Sequence, residues 1–360
     1  MDSIWDKLPE GTATEVIEHY LPQDEQNCPK CGAEMEIIGK KEYKSLVIIP
    51  AQYMEQEFHR QGLELSRQTM ANWLLDSADL WLKPIYECLH KKLLTHEVLH
   101  ADETTLQVLH EEGRRPQSKS YMWVYRTSGD AEHPIVLYKY EQGRSGRYSE
   151  EFLQGFKGYL HSDGYSAYHN LGSDVINVGC LVHARRKFYD VIKLNKKDGA
   201  NQSAAKAVGY FSKIFKLENA LAKKSVEERY AKRLELEKPI LDELFAWAEK
   251  LYVTPKSKLG EAVTYLRNQR RYLYNYLLDG RLEASNNRAE RSVKPFVISR
   301  KNFLFANTAG GAEGSSIIFS LIETAKENKC ILSTQIPQKE RINSLFSARE
   351  FPYLKLELYC

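Results

Sequence analysis

The chain has 360 residues, 42% hydrophobic and 28% charged, which is enough for two or three domains with cores of their own. The formal charge is only +3, but basic residues cluster locally, the footprint of a nucleic-acid surface. No run approaches the length of a membrane span, the N-terminus lacks a signal pattern, and six scattered cysteines exclude a disulfide framework, so a cytoplasmic protein with reduced thiols is expected.

Residues 1–52 contain Cys28-Pro-Lys-Cys31-Gly32, half of a zinc ribbon. Tetrahedral zinc needs four ligands and no second CxxC follows, so Cys28 and Cys31 are candidate zinc ligands of an incomplete site. Residues 53–94 read as helical. Gly62 to Leu74 has helix-turn-helix grammar: a Gly turn, Ser66 as N-cap, then a helix with Met70, Trp73 and Leu74 inward. Arg67, Gln68 and Asn72 would face outward as DNA contacts. An ordinary helical hairpin has the same grammar.

From residue 95 the periodicity becomes strand-like. Glu97–Ala101 is a short apolar strand with Asp102 at its end. Tyr121–Arg126 and Ile135–Tyr140 are aromatic and β-branched runs, with a polar turn from Glu111 to Ser120. A helix is expected over 147–156, a fourth strand over Gly158–Ser162 ending at Asp163, and a fifth over Val175–Leu181. Three strands, a helix, a strand, a helix and a strand is the element order of an RNase H-like α/β domain. Residues 184 to about 279 read as a helical insertion, broken at Pro239 and Pro255 and without sustained heptads. Arg267, Arg270 and Arg271 share a face there, either solvated or against a phosphate backbone. An amphipathic helix over 312–329 would bury Ile317, Ile318, Leu321, Ile322 and Ala325, and the tail from 330 to 360 has no assignable pattern.

The stretch Gly280–Lys301 holds six basic residues against Glu283 and Glu290. A helix starting near Asn287 would set Asn287, Glu290, Arg291 and Lys294 on one face. One carboxylate among cations is a poor surface ion-pair device, worth roughly 0–1 kcal/mol. It is well suited to gripping a cation and a phosphate together, although Asn287-x-x-Glu290 also reads as a capping box. Asp102 and Asp163 follow the first and fourth strands, neighbours in an RNase H-like sheet, and each has a histidine (His100, His161) just before it. A third carboxylate on a following helix would complete a site for two divalent cations, about 3.5–4 Å apart, that clamp the attacking and leaving oxygens at phosphorus.

His100-Ala101-Asp102-Glu103-Thr104, Ser162-Asp163-Gly164-Tyr165, Cys180-x-x-His183-Ala184-Arg185-Arg186-Lys187-Phe188 and Asn286-Asn287-x-x-Glu290-Arg291 with Arg300-Lys301-Asn302, in that order, resemble the DDE transposases of the insertion-sequence-66 family of bacterial mobile elements. The resemblance covers roughly 53–329. It implies an RNase H-like DDE catalytic domain over 95–329, after a partial zinc-ribbon-like region (1–52) and a helix-turn-helix-like region (53–94). Asp102, Asp163 and Glu290 match the family's catalytic acids, holding two Mg²⁺ or Mn²⁺ ions, with Glu283 as the competing third acid. Cys180 and His183 match a Cys-x-x-His element read as packing the site. Arg185, Arg186, Lys187, Arg291, Lys294, Arg300 and Lys301 would hold phosphates. The implied function is strand cleavage by activated water and strand transfer of an insertion sequence, by a homo-oligomer on double-stranded DNA. Accessory proteins of the same element and a nucleoid-associated location are also implied. A catalytically inactive DNA-binding relic and another RNase H-like nuclease are the alternatives. The sequence departs from the family pattern in a shortened N-terminal zinc-binding region, without a second cysteine pair, and in the tail from Cys330.

Overall fold

The computed structural model describes residues 51–194 and 199–329. Cys28, Cys31 and the tail after Lys329 lie outside the described residues. The chain divides into two compact units, one ending at Leu65 and one beginning at Ser66. In the first, helix α1 spans Ala51–Arg60.

The second unit opens with α2 (Arg67–Ser77), whose first turn is closed as expected: the Ser66 hydroxyl accepts from Thr69 N–H at 3.1 Å. A π turn (Ala78–Leu82) leads into α3 (Lys83–Leu93). The expected inward face of α2 is wrong by about a third of a turn. Trp73 and Leu74 are 55% and 59% exposed, whereas Leu75 and Ala78 meet Gly314. A Cβ on Gly314 would stand 2.6 Å from Leu75, so glycine there admits the leucine.

Five strands form the main path of the sheet, in the order β3-β2-β1-β4-β5. They are β1 (Val98–His110), β2 (Lys119–Thr127), β3 (Val136–Glu141), β4 (Gly158–Ser162) and β5 (Val175–Gly179). β1, β2 and β3 pair antiparallel, and β4 joins β1 and β5 in parallel. Helix α4 (Gly146–Phe152) precedes β4. This strand order fits the expected RNase H-like arrangement. The first strand does not end before Asp102, as expected from sequence; it runs eight residues past it, paired with β2 as far as Gln107 and with β6 (Ala306–Thr308) beyond. Its pairing with β4 stops at His100↔His161. Asp102 therefore sits in mid-strand, just where the parallel ladder opens.

After β5 come α5 (Leu181–Leu194) and the helices α6 (Gly199–Leu221), α7 (Val226–Lys232), α8 (Lys238–Lys250), α9 (Lys258–Asn268) and α10 (Arg270–Tyr274). These build their own core around Phe188, Phe211, Leu241, Phe245, Leu266 and Tyr276, continuous with Val98 and Val178 of the sheet. Arg267 and Arg270 are structural: Arg267 donates to carbonyls at the end of α8, Glu249 at 3.3 Å and the capping Leu251 at 3.1 Å, and Arg270 pairs with Glu249. Helix α11 (Asn287–Phe303) lies on the sheet face made by Leu106, Val108, Met122 and Val124, packing through Val293 and Phe296. A short strand, β6 (Ala306–Thr308), pairs with the end of β1 and leads into α12 (Ala309–Glu327).

Helix α12 runs along the outer edge of β3. Of the five apolar residues expected inside, Ile317 is fully buried; the rest of its buried face is Ala312, Gly314, Ser316 and Ser320. Small residues are needed because the helix hydrogen-bonds the strand. The Ser320 hydroxyl accepts from Tyr138 N–H at 2.8 Å, and the Thr324 hydroxyl accepts from Val136 N–H at 3.0 Å and donates to Val136 C=O at 2.9 Å. At the opposite edge α10 and the following 3₁₀ turn (Asn275–Leu278) lie along β5, and Asn275 donates to Asn177 C=O at 2.7 Å.

Candidate active site

Three elements deliver carboxylates to the α11 side of the sheet where β1 and β4 part. His100 and His161 are cross-strand partners whose rings stack at 4.2 Å with 9° between planes. Asp102 and Asp163 each lie two residues beyond this pair, one still in β1, the other just past the end of β4. Both imidazoles are fully buried, and burial holds them below their usual range, His100 down to about 3. They are neutral spacers that add no positive charge.

The turn after β4 is fixed from two sides. Asp163 Oδ1 accepts from Tyr165 N–H at 2.9 Å, an Asx turn. Tyr265 of α9 donates to Asp163 C=O at 2.7 Å, and Gln269 donates to Gly164 C=O at 3.4 Å. Gly164 has φ +90, and a Cβ there would stand 2.8 Å from the Tyr265 oxygen, so the turn requires glycine twice over. The helical insertion thus positions Asp163.

Glu290 arrives on the first turn of α11. The expected capping box is absent: Asn286 holds the cap position, and its side chain makes no capping bond. It accepts from His100 Nδ1–H at 3.0 Å and donates to Ala101 C=O at 2.8 Å, while its own N–H donates to Cys180 Sγ at 3.1 Å. The start of α11 is thereby pinned to β1 beside Asp102. Nearby, Glu283 N–H donates to His161 Nε2 at 3.3 Å, and the Glu283 carboxylate is engaged by Arg288 at 2.7 Å.

Asp102 is pushed up to about 8, mainly by burial, then by the negative charge of Glu103 and, more weakly, by Asp163 and Glu290; the Glu103 N–H bond opposes the shift. Asp163 and Glu290 therefore bear electrostatically on Asp102, whereas Glu283 is not among the leading causes. Glu103 points to the opposite face, where Arg144 and Tyr168 engage it. Glu290 lies 3.6 Å from His183 Nε2 and 3.5 Å from Arg186 Nη2. Burial lowers His183, while Asp163 and Glu290 pull it upward.

The expected phosphate-binding residues divide into three groups. Arg186 pairs with Glu290 at the site, and Arg291, Lys294 and Lys301 stand exposed along α11. Arg300 reaches back to the Thr104 and Thr105 hydroxyls of β1 at 3.2 Å. Arg185 instead turns inward toward the Phe215 ring, with a buried, unpartnered Nε, and Lys187 lies over Tyr265. Arg67, Gln68 and Asn72 are exposed on α2, Gln68 donating to Asn72 at 2.8 Å. Sequence reasoning missed Tyr265, Gln269 and the bonding role of Asn286; only the Asn-Asn pair before Glu290 signalled the last.

The donor set suits a hard divalent cation: carboxylate oxygens from β1, the β4 turn and α11, in a half-buried setting where a cation would offset mutual repulsion. Among the described residues no helix is long and apolar enough to cross a membrane.

A family model described as the transposase IS66 family matches residues 43–314. Three uncharacterized proteins of Sinorhizobium fredii (strain NBRC 101917 / NGR234) are similar. The y4qI protein is 34% identical over 78% of this chain and 54% of its own length. The y4jD protein is 31% identical over 77% and 56%, and y4hP is 27% identical over 78% and 53%. The chain spans about half the length of these curated relatives. A Drosophila P element transposase strand transfer complex superposes with a TM-score of 0.40 at 13% identity, over 76% of this chain and 89% of that one.

Proposed function

The chain belongs to the transposase IS66 family, and from that premise we propose that it is a DNA transposase that cleaves and joins phosphodiesters with divalent cations held by Asp102, Asp163 and Glu290. The observation that supports this reading is that carboxylates from distant parts of the chain bear on one another: Asp163 and Glu290 add to the burial and the Glu103 charge that push Asp102 up to about 8. Structural ion pairs place a cation beside such a group; Asp102 has only the Glu103 N–H.

Divalent cations, when bound, neutralise charge at phosphorus and activate the attacking oxygen. The chain's own residues supply position. Tyr265, Gln269 and Gly164 hold the Asp163 turn; Asn286 registers α11, and with it Glu290, against β1. Arg291, Lys294, Arg300 and Lys301 form a basic flank on which a DNA backbone would be gripped, since phosphate contacts dominate affinity. Arg186, now paired with Glu290, is placed to pass to a phosphate once a cation takes over the carboxylate. The target is double-stranded DNA, at the element's ends and at the insertion point, in the bacterial nucleoid.

The test is nicking of duplexes that carry the gene's own flanking sequence, by the full chain with Mg²⁺ or Mn²⁺. Metal-dependent nicks leaving 3′ hydroxyls, lost in Asp163→Ala with unchanged circular dichroism, are expected. Cleavage that survives Asp163→Ala, or proceeds in EDTA, overturns the assignment.

A further inference from the structure

We infer that Cys180, His183 and Glu290 form a binding site for a soft divalent cation, zinc in preference to magnesium, which withdraws Glu290 from the catalytic carboxylates and so inhibits the enzyme. One ligand atom from each residue, a thiol sulfur, an imidazole nitrogen and a carboxylate oxygen, falls within 4.8 Å of the other two. Tetrahedral zinc with Zn–S near 2.3 Å and Zn–N or Zn–O near 2.0–2.1 Å requires ligand separations of roughly 3.3–3.6 Å. His183 Nε2 and Glu290 Oε1 already stand at 3.6 Å. Closure therefore needs only small side-chain movements.

Three further features single out this cluster. Glu290 Oε1 and His183 Nδ1 are buried polar atoms with no hydrogen-bond partner, which a well-packed protein rarely tolerates. Cys180, 1% exposed, accepts the Asn286 N–H at 3.1 Å; burial pushes its thiol up to about 11, against the pull of the backbone N–H groups of Asn286, His183 and Val182. These N–H groups, at the N-terminal end of the 14-residue α5, offset part of that cost, and a bound cation would supply the rest. A cation is also already drawn to the spot. Arg186, half-exposed at 51%, lies 3.5 Å from Glu290 and 3.3 Å from His183 and can leave for solvent when a metal takes its place.

The thiol sulfur makes the site selective. Magnesium and manganese prefer oxygen donors, whereas thiolate and imidazole select zinc and its spectroscopic surrogate cobalt(II). On binding, the sulfur–hydrogen bond is replaced by a sulfur–metal bond and the proton leaves to solvent. Three protein ligands leave a fourth position for water or a phosphate oxygen. The binding claim stands on the cluster alone; the inhibition claim rests on the proposed catalytic role of Glu290.

The experiment uses the full chain carrying Cys28→Ser and Cys31→Ser, so that the N-terminal cysteine pair is silent. Titration with Co²⁺ alone should give a saturable thiolate-to-cobalt charge-transfer band at one ion per chain, displaced by Zn²⁺ and not by millimolar Mg²⁺. Adding Cys180→Ser should remove the band. His183→Gln, at a half-buried position, should weaken Co²⁺ binding by more than the roughly 10–100-fold typical of a lost outer-sphere partner. It decides the question should Cys180→Ser fail to fold. Absence of the band in the parent, or equal binding in the folded variants, overturns the site. In parallel, the ratio of Mg²⁺-dependent nicking with and without equimolar Zn²⁺ should fall at least tenfold in the parent and return close to one in Cys180→Ser. A cobalt band without zinc inhibition overturns the competition for Glu290. No nicking with any metal removes the transposase reading and leaves the spectroscopic result to decide the site.

Discussion

At residue 102 a half-buried carboxyl stands on the strand two residues past a neutral histidine, with Asp163 and Glu290 bearing on it, and this sets a trade of stability against chemistry. Its folded value of about 8 lies above the ordinary 3.8, so the native state holds a proton that the unfolded chain releases. Stability from this group is therefore fully present below about pH 4 and is lost as pH rises toward 8. The Asp102→Asn chain should lack this slope and be more stable than wild type at pH 8–9, by on the order of a few kcal/mol. Divalent cations should raise the melting temperature of wild type at that pH and leave the variant unmoved. Thermal unfolding at pH 5 and pH 8.5, with and without Mg²⁺, measures both; a variant no more stable than wild type at pH 8.5 would remove the electrostatic account of the site. Asn286 is the other decisive residue: Asn286→Ala orphans the Ala101 carbonyl and a buried imidazole N–H, which costs about 1–3 kcal/mol for each group. The sequence singles out Asp102, Asp163 and Glu290 as candidate acids through the motifs that hold them. The bonding role of Asn286 was not legible there, because an Asn before a helix reads as a cap, and only the fold brings His100 beneath it.

Among the elements, strands were read well wherever their ends carried turn chemistry. β4 ends at Ser162 as expected, because Asp163 and Gly164 force the turn. β1 was cut short at Ala101, because Asp102-Glu103 looks like a strand-breaking pair. Thr104, Thr105 and Val108 carry the strand onward, with β2 pairing it from Leu99 to Gln107 and β6 pairing its end. Helix α12 shows the reverse limit. Its isoleucines suggested an apolar inner face, yet its working face is small residues and hydroxyls laid on β3. Replacing Ser320 with Ala and Thr324 with Val should leave two strand N–H groups unsatisfied and destabilise the chain by about 1–3 kcal/mol for each. Faster hydrogen exchange at the Val136 and Tyr138 amides would accompany the lower denaturant midpoint, and unchanged exchange would show that the hydroxyls are dispensable.

For the molecule as a whole, the sequence places a helical insertion between the second and third acids but gives no hint of what it does for them. Tyr265 meets the Asp163 carbonyl across about a hundred residues of chain, a meeting no local periodicity encodes. The insertion is a brace for the site as well as a surface. The basic flank makes a prediction at this scale. DNA affinity should fall steeply with salt, and Arg291→Ala with Lys294→Ala should reduce the slope of log affinity against log salt by about 0.9 for each phosphate that is no longer neutralised. An unaltered slope in a fluorescence-anisotropy titration would move the DNA path away from α11.

The covering of both sheet borders has a consequence for assembly. β-augmentation by a second copy requires a free ladder of N–H and C=O groups along an outer strand. Here serine and threonine hydroxyls occupy that ladder on β3, and a 3₁₀ turn and its asparagine screen β5. Among the described residues neither the β3 nor the β5 border is therefore left open to a second copy, and the central sheet is protected from the runaway stacking that open borders invite.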